Sequence, residues 1–199
     1  VRTHLKLNIR IIDGIKEAYY GAIACANLLP EQSNALSIDI GGGSTEFSII
    51  NGKNVTNTIS LDLGTVRLKE LFLDKNKKKE AVAYIDKKLE ALDNIDTSTL
   101  IGIGGTFRAI STAIMQTQKY PLDKIHGFEC SRSDFQEFIT SILKADESKL
   151  KKLGIKSDRF DIIKPGALIL ERVLQKLAIK NLIASGVGVR EGVYLADLL

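Results

Sequence analysis

The sequence predicts an α/β domain on a mixed sheet of about five strands in β-β-β-α-β-α-β-α order, with flanking helices. Three observations predict it. Two strand-like runs meet at Gly41-Gly42-Gly43, and a third follows Asn51-Gly52, so three strands meander through glycine turns. Beyond Leu61, segments of helical periodicity alternate with short apolar runs, the pattern of a parallel half-sheet covered by helices. No repeat, low-complexity tract or linker interrupts the 199 residues, which suits one compact domain.

Each element has its own signal. Residues 5–12 alternate apolar and polar side chains and predict a strand, turned by Asp13-Gly14. Residues 15–29 carry helical spacing, closed by Leu29-Pro30. Residues 35–40, 45–50 and 55–61 read as the three meandering strands. In the second of them Phe47 and Ile49 share one face, Glu46 and Ser48 the other. Helices are predicted over 66–73 and 81–92, then a strand over 100–103 running into Gly104-Gly105-Thr106. Helices follow over 107–115 and over 133–144, the latter with Ser133 or Ser131 as N-cap. A helix over 162–177 near Pro165, a strand over 182–184 and a helix over 189–199 complete the chain.

Bulk properties exclude several classes. Hydrophobic residues make up 44% and charged residues 26%, an ordinary globular balance. No apolar run approaches the ~20 residues that cross a bilayer, and the first ten residues lack a signal-peptide core, so no membrane partner is expected. Cys25 and Cys130 are far apart and outside any CxxC pair, which fits a reducing, cytoplasmic setting. Net charge is +4, from 28 basic and 24 acidic residues. Lysines gather at 75–79, 87–88 and 149–152 without interleaved aromatics, so no specific nucleic-acid partner is expected. They read as solvated helix faces, while such a field would still draw a long polyanion. His4 and His126 are isolated, and no His/Cys/Asp cluster suggests zinc.

The chemistry gathers at Asp39-Ile40-Gly41-Gly42-Gly43-Ser44-Thr45-Glu46. Three glycines let the backbone bend and bring successive N–H groups to one anion, with the Ser44 and Thr45 hydroxyls as further donors. Asp39, at the strand end, is suited to a divalent cation. A Walker loop would need Lys before a helix, and a dinucleotide fingerprint also needs a helix next; here a strand follows. A plain glycine hairpin is the alternative. Gly104, Gly105 and Thr106 join a strand to a helix, where amides favour an anion or a nucleotide's phosphates, although a tight turn would read the same. Glu17, in a first helical turn, is by local chemistry an ordinary surface residue.

The glycine loop and its flanking strands resemble the second-lobe phosphate loop of the actin-like, acetate and sugar kinase superfamily. Residues 12–18 (IDGIKEA), 60–72 (SLDLGTVRLKELF), 101–110 (IGIGGTFRAI) and 186–194 (GVGVREGVY) resemble, in order, motifs of the exopolyphosphatase/guanosine pentaphosphate phosphatase family. That resemblance implies release of the terminal phosphate of polyphosphate or guanosine pentaphosphate. Glu17 would be the catalytic base, Gly41, Gly42, Gly43, Ser44 and Thr45 the phosphate-binding loop, and Asp39 the ligand of Mg²⁺ or Mn²⁺. Arg67, Gly104, Gly105, Thr106 and Arg190 would be candidate substrate contacts, Arg67 reading first as an anchor of the loop or its helix, while Arg108 reads as a surface residue. Asp13 and Lys16 depart from the family pattern. The resemblance further implies that residues 1–199 form the second lobe alone, with 1–30 and 188–199 at the inter-lobe boundary. The first lobe, with its own phosphate loop, would lie outside this chain. The full-length protein would be a homodimer and the isolated lobe inactive. The alternatives are an ATPase or kinase lobe of the same superfamily, or a phosphate- or nucleotide-binding module without turnover.

Overall fold

A computed structural model describes residues 9–197. Helix α1 spans Gly14–Leu28, capped by the Asp13 carboxylate, which accepts from the Lys16 N–H at 2.8 Å. Strands β1 (Ala35–Ile40), β2 (Thr45–Asn51) and β3 (Asn54–Leu61) follow, then helices α2 (Thr65–Leu71) and α3 (Lys78–Leu89). Next come β4 (Thr99–Ile103), α4 (Gly104–Thr117), β5 (Phe128–Ser131), α5 (Arg132–Lys144) and α6 (Glu147–Lys152). Helix α7 (Phe160–Lys176), β6 (Asn181–Ala184) and α8 (Val189–Ala196) complete the described residues.

The strands form one six-stranded sheet ordered β3-β2-β1-β4-β6-β5. Strands β1, β4 and β6 run parallel, while β2, β3 and β5 are antiparallel to their neighbours. Strand alternation divides two apolar clusters. Ala35, Ile50, Ile101, Ile103 and Ile183 meet Ala22, Cys25 and Ala26 of α1, and Leu29 just after it, on one face. On the other, Leu36, Ile38, Phe47, Leu100 and Leu182 join Leu68, Ile85, Phe107, Phe135 and Leu170 from α2, α3, α4, α5 and α7. At about 25 cal/mol per Å² of apolar surface, this two-sided burial drives folding. It also explains why β2 is buried along its length except at Asn51: Glu46 and Ser48 lie under α1 and not in solvent.

Four expectations are corrected. The sheet has six strands, not about five. Strand β5 (FECS) was not foreseen because four residues at an exposed edge carry too little alternation. Helix α6, one polar turn and a half capped by Asp146, likewise lacks an apolar stripe. Residues 9–12 carry no strand, and 5–8 of that expected strand lie outside the described residues, as do His4 and the last two residues of the expected final helix. Helix α5 starts at Arg132 with Ser131 as its cap, the earlier of the two caps considered, donated to by the Asp134 N–H at 3.2 Å.

Candidate functional site

The site forms at the carboxyl ends of β1 and β4, where the antiparallel and parallel halves of the sheet meet. Ile40 and Thr45 pair across the mouth of the glycine hairpin. The Gly41 N–H is used inside the turn, donating to the Ser44 carbonyl at 3.0 Å. Helix α2 then claims the loop's carbonyls. Thr65 N–H donates to Gly41 at 2.9 Å, and Val66 and Arg67 N–H donate to Gly42 at 2.9 and 3.1 Å. The first-turn amides that a helix cannot satisfy internally are thereby satisfied, and the loop peptides are held with their carbonyls toward α2. Among the described residues, the N–H groups of Gly42, Gly43 and Ser44 donate to no other group. An anion is the partner such a row of amides suits.

Three carboxylates converge beside this loop. Asp39 and Glu46 are register partners on β1 and β2. Glu17 comes from the first turn of α1, which lies close over β3: a side chain on Gly14 would run into Ser60. The Asp39 carboxyl is raised to about 6, chiefly by burial and also by the negative charge of Glu17, with Arg108 opposing the rise. Glu46 is also raised, first by burial, with the Ser44 and Ser60 hydroxyls moderating it and Glu17 and Asp39 adding to it. The Ser60 hydroxyl donates to Glu46 Oε1 at 2.9 Å. Glu46 was not singled out from sequence because strand alternation places it only on the face opposite Phe47 and Ile49, without showing what covers that face.

The other expected residues divide. Gly104 opens α4, and a β-carbon there would strike the Asp39 carboxylate; its φ of +78° is in the left-handed region. Gly104-Gly105-Thr106 is thus the first turn of α4 and not a loop before it, since α4 starts three residues before the expected boundary. Thr45 is fully buried, its hydroxyl donating to the Leu63 carbonyl, and Thr106 is buried against Gly166 of α7. Both hydroxyl residues brace the frame. Arg67 donates its Nε–H to the Gly43 carbonyl at 2.8 Å and pairs with Asp62 at 3.4 Å. Arg190 projects with 91% of its side chain exposed from a cavity of about 190 Å³ lined also by Asp39, Gly104, Arg108 and Gly188.

Arg108, read from sequence as a surface residue, lines this cavity and a neighbouring one of about 270 Å³ with Gly105, Gln116, Lys156 and Arg159. The Arg159 guanidinium occupies the space a side chain on Gly105 would need. Its helix-end position gave no sequence signal; only the return of the chain after α6 brings it here. The cysteines take no part. Burial pushes Cys25 up to about 12 and Cys130 up to about 11, leaving both as thiols.

The donor set suits a hard cation. Mg²⁺ and Mn²⁺ take carboxylate oxygens, and Mg²⁺ typically binds through one or two of them, with water and phosphate oxygens completing the octahedron. Asp39, flanked by Glu17 and Glu46, fits that requirement. Among the described residues no three His, Cys, Asp or Glu side chains are grouped to hold an ion by themselves.

Comparison with known proteins bears on the family and the fold. The Ppx/GppA phosphatase family matches residues 1–199. The bifunctional 3-dehydroquinate synthase/phosphatase of Fusobacterium nucleatum is 29% identical over 181 residues, 85% of this chain and 27% of that protein. The guanosine-5'-triphosphate,3'-diphosphate pyrophosphatase of Pseudoalteromonas atlantica is 26% identical over 92% of this chain and 37% of its own length. This chain therefore spans about a third of the curated relatives it matches. The solved structure of the Aquifex aeolicus PPX-GPPA enzyme superposes with a TM-score of 0.83 at 26% identity, covering 98% of this chain and 67% of that one. The fold is an actin-like α/β lobe. With its sheet, glycine hairpin and ordered motifs accounted for together, the chain belongs to the Ppx/GppA phosphatase family.

Proposed function

We propose that this lobe carries the general base and one phosphate loop of a phosphohydrolase that releases the terminal phosphate of polyphosphate or guanosine pentaphosphate. The observation that carries this reading is the meeting of Glu17, Asp39 and Glu46 beside the free amides of Gly42, Gly43 and Ser44.

In this reading the amides hold the oxygens of the terminal phosphate, where negative charge shifts as the bond to the leaving phosphate lengthens. Glu17 accepts the proton of the attacking water. Its place at the open end of α1, half-exposed, leaves it reachable by water. Glu46 is held in place by the Ser60 hydroxyl. Asp39 would hold Mg²⁺ or Mn²⁺, which when bound neutralises charge on the transferred group. Arg108 and Arg190, at the cavity beside Asp39, receive the leaving chain.

The same reading makes residues 1–199 one lobe that closes against another. Ile15 and Tyr19 of α1 and Val193 and Tyr194 of α8 stand exposed on the two segments expected at the boundary, 1–30 and 188–199. Solvent-facing aromatic and aliphatic side chains of this kind suit burial by a second domain. The test is phosphate release by the full-length protein, with Mg²⁺, from long-chain polyphosphate, guanosine pentaphosphate and ATP. Release from either of the first two is expected. Turnover of ATP alone would replace this reading with the ATPase alternative.

A further inference from the structure

Away from the catalytic carboxylates, a hollow of about 380 Å³ lies between the end of α5 and helix α6, lined by Ser141, Lys144, Ala145, Lys149, Lys152 and Leu153. Three lysines from two helices converge there. Among the described residues none of them lies within 4.0 Å of a carboxylate, whereas Lys69, Lys88 and Lys176 each sit against an aspartate. Of the two acids nearest in sequence, Asp146 is committed to capping α6, where it accepts from the Lys149 N–H at 2.8 Å, and Glu147, in the first turn of α6, lies within 4.0 Å of no lysine among the described residues.

The chain leads from the hollow's lining to that of the cavities already described. From Lys152 and Leu153 the chain passes through Gly154, Ile155 and Lys156, which line the 270 Å³ cavity with Arg108 and Arg159. Arg108 in turn lines the cavity at Asp39. Cations therefore border each of three successive depressions from Arg190 to Lys144, with Asp39, Asp158 and Glu191 as the acids among the linings. Neither the α6 hollow nor the Arg159 cavity has an aromatic side chain in its lining.

We propose that the α5–α6 hollow is a second binding site for linear polyphosphate, holding the chain at a distance from its reacting end; this rests on the phosphohydrolase reading above. Lysine point charges around an open hollow recognise repeating phosphate without reading shape. Single-stranded nucleic acid would call for stacking platforms that these linings lack. Two anchors on one chain raise the effective concentration of its end at the glycine loop, and a chain too short to span both gains nothing. The substrate class that benefits is long-chain polyphosphate, not a single nucleotide.

Binding to the full-length protein and to its Lys144→Ser/Lys149→Ser/Lys152→Ser variant tests this, using labelled long-chain polyphosphate, tripolyphosphate and an RNA oligomer across a salt series. The expected result is at least tenfold weaker long-chain binding by the variant, with tripolyphosphate binding unchanged. The slope of log affinity against log salt should fall by about 2, from roughly 0.7 per lost contact. Equal loss for both polyphosphates, no loss for either, or RNA bound as tightly as polyphosphate through the same lysines overturns the proposal. So does wild-type protein that binds the two chain lengths equally; in that case phosphate release from tripolyphosphate leaves the phosphohydrolase reading standing. Unchanged melting temperature of the variant, whose three substituted lysines are all exposed, excludes misfolding as the cause.

Discussion

Arg67 donates its Nε–H to the Gly43 carbonyl at 2.8 Å, holding the glycine loop from the side of α2 while the loop's amides face away from that helix. A charged donor is thereby used for backbone positioning. Arg67→Ala should lower stability by about 1 kcal/mol, or roughly 2–4 °C in Tm, and weaken phosphate binding by loosening the loop. Calorimetric melting with and without phosphate measures both. A variant with weaker phosphate binding but an unchanged apo Tm would instead favour direct contact with substrate.

Glu17→Gln keeps the size of the side chain and removes its basicity. In the full-length protein it should cut kcat roughly 10²–10⁴-fold while leaving KM and Tm close to wild type. Steady-state phosphate release reads this directly, and wild-type kcat in the variant would refute the general-base role.

Asp39 imposes a pH dependence on stability. Its carboxyl is raised from 3.8 to about 6 in the folded protein. Between those values the folded state keeps a proton that the unfolded chain has released, so stability falls as pH rises through this window and stays lower above it. Asp39→Asn removes the ionisation. It should be more stable than wild type at pH 7.5, by on the order of 2 kcal/mol, with a difference that narrows toward pH 4 as activity is lost. Urea unfolding at both pH values decides; a less stable Asn variant at pH 7.5 would contradict the assignment.

Two glycines of the site should respond oppositely. Gly104→Ala places a methyl group against the Asp39 carboxylate at a φ of +78°, so it should cost roughly 2 kcal/mol, or about 4–8 °C in Tm. A β-carbon on Gly43 meets nothing within 4 Å, and Gly43→Ala should change stability by less than about 0.5 kcal/mol. It should still weaken phosphate binding, because the methyl group stands beside amides that the anion must approach. Thermal melts and phosphate titration of both variants separate the two effects.

Much of this was legible in the chain before folding. The hairpins at Gly41–Gly43 and Asn51-Gly52, the helical stripe of α5 and the ordered motifs are local patterns, and local patterns survive in sequence because backbone geometry imposes them within a few residues. The boundary of α4 was less legible, since Gly104 and Gly105 read as breakers although they form its first turn. Strand β5 and helix α6 were missed for want of an apolar period.

The sequence by itself determined the α/β class, the glycine hairpin, the end of β1 at Ile40 and the family to which these motifs point. Only the tertiary structure decided which side chains meet. It turned Thr45 and Thr106 inward, committed Arg67 to the loop, and drew Glu46, Arg108 and Arg159 to the site. The physical reason is that burial and charge proximity depend on elements far apart in the chain. Glu46 is buried because α1 covers β2, and Asp39 is raised because that burial and Glu17 reach it together.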